Sequence, residues 1–124
     1  MTRHALNWFE IPVLDFKLAK AFYSAIFDYV MPEMPMGPNT MGFFPHEQGK
    51  GIGGAIVRGK GYVPSAQGAL VYLAAGKDLT AVLARVEAAG GRILVAKTPV
   101  APNMGYYAMF ADIEGNRLGL HSPN

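Results

Sequence analysis

One order of elements, read twice along the chain, governs what these 124 residues fold into. Residues 6–13 (LNWFEIPV) are rich in aromatic and β-branched side chains and predict a strand. Asp15 is a good N-cap, and residues 15–29 follow with Phe16, Ala19, Phe22, Tyr23, Ile26 and Phe27 at helical spacing. Lys17, Lys20 and Ser24 fall on the opposite face, so the helix is amphipathic. Three short strands are expected next, at 29–34, 40–46 and 51–57. The stretch 59–68 (GKGYVPSAQG) carries turn chemistry throughout and reads as a linker or mobile loop. The pattern then restarts with a strand at 69–74 and a helix at 78–89, which Gly90-Gly91 ends. Strands at 92–100, 105–111 and 117–121 follow, with 112–116 (DIEGN) as the last turn.

This order predicts an α+β domain spanning 1–124. Module one covers about 5–58, the linker about 59–68 and module two about 69–122. Two βαβββ modules would form a curved, largely antiparallel sheet with the helices outside. Its other face would be a cup, where small ligands bind.

Composition removes other classes. Half of the residues are hydrophobic and 16% are charged, enough for a real core. Cysteine is absent, which excludes a disulfide framework and a thiol nucleophile. The formal charge is +2 and the cationic residues are scattered, so nucleic acid is not an expected partner. No apolar run approaches the length that spans a bilayer, and no signal peptide is read at the N-terminus. The expected location is the cytoplasm.

Trp8-Phe9-Glu10-Ile11-Pro12-Val13, Asp15, Ala21-Phe22-Tyr23 and Phe27 resemble the first module of vicinal oxygen chelate proteins, the glyoxalase and bleomycin-resistance superfamily. Glu87-Ala88-Ala89-Gly90-Gly91 resembles the second module's helix end. Phe110, Asp112, Glu114-Gly115-Asn116 and Leu118-Gly119-Leu120 are similar to the final hairpin. The resemblance implies a ligand-binding cup, a homodimer and, in the family's enzymes, a divalent metal held by His, Glu or Gln. Aligned on Asp15, the ligand positions fall at Trp8, near Gly53 or Gly54, near Val71 and at Gly119. None offers a side-chain donor, so no cofactor is expected and a divalent metal is disfavoured.

Strand parity singles out the remaining candidates. Phe9, Ile11 and Val13 suit the helix side, which turns Trp8 and Glu10 into the cup. Leu118 and Leu120 do the same in the last strand, turning Gly119 and His121 inward, with Tyr107 opposite His121. Glu10 and His121 are the candidate catalytic pair. Trp8, Gly53, Gly54, Val71, Tyr107 and Gly119 are candidate ligand contacts. Each also has an ordinary reading, as a solvated edge residue or as core packing. The expected function is metal-independent binding of a small organic molecule, in a sequestering or carrier role. The alternatives are a lyase, isomerase or dioxygenase of the superfamily, metal-free through Glu10 and His121 or metal-dependent, and a structural module with a filled cup.

Overall fold

A computed structural model describes residues 4–47 and 49–124. Met1, Thr2, Arg3 and Gln48 lie outside the described residues. The chain runs β1 (Phe9–Pro12), α1 (Phe16–Ile26), β2 (Glu33–Met36), β3 (Asn39–Phe43), β4 (Gly54–Arg58), β5 (Val71–Ala74), α2 (Thr80–Val86), β6 (Arg92–Pro99), β7 (Tyr106–Ala111) and β8 (Arg117–Ser122). The sheet forms as two open, curved, four-stranded halves, ordered β1-β4-β3-β2 and β5-β8-β7-β6. In each half the first strand pairs in parallel with the last, and the other pairings are antiparallel. A parallel pair needs a crossover, and α1 and α2 lie on the two crossover paths.

Local chemistry sets the helix ends. The Asp15 side chain accepts from the Leu18 N–H (3.1 Å) and caps α1. Phe16, Ala19, Phe22, Tyr23 and Ile26 form its buried face, as the periodicity predicts. The helix stops short of the expected Tyr29 because Asp28 adopts a left-handed φ of 53°. Tyr29 N–H then bonds back to the Ser24 carbonyl (3.0 Å). At the start of α2, Asp78 Oδ1 accepts from the Thr80 hydroxyl (2.6 Å), the Thr80 N–H (2.9 Å) and Lys97 Nζ (2.9 Å). Those bonds, the Thr80 hydroxyl's first, hold its carboxyl well below the usual carboxylate range.

The expected strand at 29–34 begins later. Tyr29 hydroxyl donates to the Phe43 carbonyl (2.7 Å), Met31 N–H donates to Ser24 Oγ (3.1 Å), and Met31 is fully buried. This inward-packed connector pushes the strand out to Glu33–Met36.

One core serves both modules. Ile11, Val13, Phe22, Tyr23 and Ile26 of the first pack with Leu73, Leu79, Val86, Phe110 and Leu120 of the second. Burying each such side chain contributes about 1.5–3 kcal/mol relative to exposure. Polar bonds latch the same junction. Tyr23 hydroxyl donates to Asp112 Oδ2 (2.7 Å), and Asn116 Nδ2 donates to the Pro12 carbonyl (2.8 Å). The Glu114 carboxylate accepts from the Leu14 and Asp15 N–H groups (2.7 and 2.6 Å), where it also faces the positive end of α1. The two modules therefore pair within one chain.

Candidate functional site

The strand period of two splits every strand into a core side and a helix-free side. In β1, Ile11 is buried and Phe9 packs against the core, with Val13 buried just beyond the strand. Trp8 and Glu10 consequently face the other way. Glu10 pairs with Ala55, which in turn pairs with Phe43. Met41, Ala55 and Val57 form a small second apolar cluster, with Phe43 and Tyr62 packed on it. Trp8 lies 6.3 Å from Phe43, centroid to centroid, and stays 41% exposed. Its Nε1 donates to Glu10 Oε2 (3.2 Å), and the Tyr62 hydroxyl, from the linker, donates to Glu10 Oε1 (2.8 Å). The hydrogen bond to that carboxylate raises the Tyr62 phenol above its ordinary pKa of 10.0.

The second module repeats the arrangement with different side chains. Tyr72 pairs with Gly119, and Tyr107 pairs with His121. The Tyr72 ring lies over Gly119, where an added Cβ would sit 2.4 Å from Tyr72 Cδ2. Tyr72 and Tyr107 meet edge to face at 6.4 Å. The His121 imidazole, through Nε2, hydrogen-bonds the Met104 carbonyl (2.9 Å), which ties the 99–105 loop to β8. Tyr72, Tyr107, His121, Val100 and Met104 line an open, mainly apolar pocket of about 490 Å³. A larger groove of about 1110 Å³ runs beside it along that loop.

Two expected site residues face elsewhere. Gly54 pairs with Phe9 and lies on the core side, where an added Cβ would meet Phe9 Cε1 at 2.2 Å. Val71 pairs with Leu118 and packs against the core, so its neighbour Tyr72 takes the helix-free side. Val71 nevertheless borders a small cleft at the module junction, together with Glu10 and Leu118. Gly53 lies under the His46 ring, with an added Cβ 2.6 Å from His46 Cε1. Trp8, Glu10, Tyr107, Gly119 and His121 lie on the helix-free side. Glu10 and His121 have separate partners and border different cavities, with no hydrogen bond or ion pair between them. Tyr62 and Tyr72 were missed. Parity in the 69–74 strand points to Tyr72, whereas Tyr62 sits in a loop that has no periodicity to read.

The donor set does not fit the superfamily's metal. His46 brings one imidazole to Gly53, but among the described residues no three His, Cys, Asp or Glu come together. Trp8, Val71 and Gly119 supply none.

The glyoxalase/bleomycin resistance protein/dioxygenase superfamily model matches residues 5–120. No curated protein matches the chain. Among solved structures, a glyoxalase/bleomycin resistance protein from Streptomyces sp. CB03234 is 25% identical at a TM-score of 0.66, covering 94% of this chain and 100% of that one. TnmS3, an antibiotic-binding protein from the same source, is 24% identical at 0.63, covering 100% and 99%. The fosfomycin resistance protein FosX from Listeria monocytogenes is 18% identical at 0.65, covering 99% and 94%. With the family model matched over nearly its whole length, the chain belongs to the glyoxalase/bleomycin resistance/dioxygenase superfamily.

Proposed function

We propose that this protein binds a small organic molecule on its helix-free face, without a metal, in a sequestering or carrier role in the cytoplasm. The observation that carries the reading is the aromatic cavity of Tyr72, Tyr107, His121, Val100 and Met104. Its walls are mainly apolar, with His121 and the two tyrosines as its polar side chains, as in many small-molecule sites. The existence of an antibiotic-binding protein on the same fold supports the reading. A metal-free acid–base enzyme would need Glu10 and His121 on one reacting group. Their separate partners and cavities favour binding over that chemistry.

Calorimetric titration of untagged protein with bleomycin, fosfomycin and 2-naphthol, alongside elemental analysis, tests this. At least one probe is expected to bind and to be recovered unchanged. Tyr72→Ala or Tyr107→Ala should then weaken it by about tenfold, or about 1.4 kcal/mol. One Zn, Ni, Fe or Mn per chain, a chemically altered probe, or affinity indifferent to both tyrosines would overturn the proposal. The protein is also proposed to be a homodimer, because β1, β2, β5 and β6 each leave one strand edge unpaired among the described residues. Light scattering should give twice the chain mass of 13.3 kDa, and a monomer at micromolar concentration would refute this.

A further inference from the structure

The junction between the modules holds a second, smaller cleft of about 210 Å³, away from the tyrosine cavity. Glu10 and Pro12 of β1 line one side, Arg117 and Leu118 of β8 another, and Ser65 and Gln67 of the linker a third. Three bonds fix these walls relative to one another. Asn116 Nδ2 donates to the Pro12 carbonyl (2.8 Å), which sets the start of β8 beside β1. Ser65 N–H donates to Asn116 Oδ1 (2.9 Å), and the Tyr62 hydroxyl donates to Glu10 Oε1 (2.8 Å), which together fasten the linker across the opening.

The charges in this cleft are unusual. Glu10 and Arg117 come from different modules and border one small space. Neither makes an ion pair among the described residues, with each other or with any other group. Trp8 and Tyr62 donate one hydrogen bond to each Glu10 oxygen and hold the carboxylate in place. Each oxygen keeps a second lone pair. A guanidinium is charged at any ordinary pH and offers five donors. A free cation in the cleft would meet Arg117, and a free anion would meet Glu10. A molecule carrying both charges a few bonds apart satisfies the two groups at once.

We infer that this cleft is a binding site for a small zwitterionic group of amino-acid or betaine size, its cationic end at Glu10 and its carboxylate at Arg117. The inference rests on the reading of the chain as a small-molecule-binding protein and names the ligand chemistry at a second site, at the junction of the modules.

Four probes of nearly one shape test it: glycine betaine (zwitterion), choline (cation), 3,3-dimethylbutanoate (anion) and 3,3-dimethylbutan-1-ol (neutral). Trp8 is the only tryptophan, so its emission reports occupancy beside Glu10, with calorimetry as an independent readout. Glycine betaine is expected to bind about tenfold more tightly than each of the other three. Glu10→Gln should remove its advantage over 3,3-dimethylbutanoate, and Arg117→Gln its advantage over choline. Both side chains are exposed, and unchanged melting would show that the variants fold. Equal binding of the four probes, tightest binding of choline, or a betaine preference that survives both substitutions would overturn the inference. Retained 2-naphthol binding in that event would leave the tyrosine cavity standing, whereas loss of both would remove the binding-protein reading as well.

Discussion

Asp112→Ala is expected to destabilise the protein by about 3–5 kcal/mol, measured by urea or guanidinium unfolding. The Asp112 carboxylate is 4% exposed and accepts four hydrogen bonds. Two come from the Glu114 and Asn116 N–H groups and shape the turn between β7 and β8. The third comes from Asn116 Nδ2, which also reaches Pro12 in the other module. The fourth comes from Tyr23, which is fully buried on α1, and burial followed by the nearby Asp112 charge pushes its phenol well above the ordinary range. Alanine would strip all four bonds and leave the Tyr23 hydroxyl buried without a partner. A hydrogen bond to a charged group contributes about 1.5–3 kcal/mol, and the four are not additive. Tyr23→Phe removes only one of them and should cost about 1–2 kcal/mol. A loss below about 1 kcal/mol for Asp112→Ala would show that the Asp112 bonds do not hold the junction.

Gly54→Val carries the second large effect, about 3 kcal/mol or more of lost stability in the same measurement. The Phe9 ring lies flat on Gly54, and three of its atoms would sit 2.2–2.4 Å from an added Cβ. The ring is half-buried, and its retreat would break its packing in an aromatic cluster. It packs on Phe44 at 5.4 Å, and Phe44 in turn meets Tyr23 and Phe27 edge to face. Gly119 is an informative contrast. A Cβ there would strike the Tyr72 ring, but Tyr72 is about half exposed and free to swing outward. Gly119→Ala should therefore cost about 1 kcal/mol or less and instead reshape the tyrosine cavity. If Gly54→Val unfolds at the wild-type midpoint, the packing of Phe9 against β4 is wrong.

The contrast between these two glycines also shows what can be read from the residues alone. The run of Phe16, Ala19, Phe22, Tyr23 and Ile26 declares a helix with one apolar face, and that face is the buried one. Trp8 and Glu10 are legible for the same reason, since Phe9, Ile11 and Val13 claim the core. Alignment to the family's ligand positions carries no facing of its own. In residues 69–74 that alignment points near Val71, whereas parity with the buried Leu73 sets Val71 on the core side and turns Tyr72 the other way. Gly54 misled differently. A glycine has no side chain to show its facing, and its requirement comes from Phe9, a residue 45 positions away. The Tyr62–Glu10 bond and the Asn116–Pro12 bond are equally nonlocal, 52 and 104 positions apart in sequence, and no spacing rule reveals them.

The two-sidedness of the strands has a consequence for how such a chain diversifies. Ile11, Val13, Leu73, Leu118 and Leu120 carry the packing, while Trp8, Glu10, Tyr72 and His121 alternate with them and stay exposed. A mutation in the second set touches few buried atoms and falls in the nearly neutral range of surface changes. Ligand preference can thus drift by single substitutions while folding stays above its threshold. The period of a β-strand separates heritable variation in recognition from variation in stability, and one scaffold can acquire many ligands without first becoming more stable.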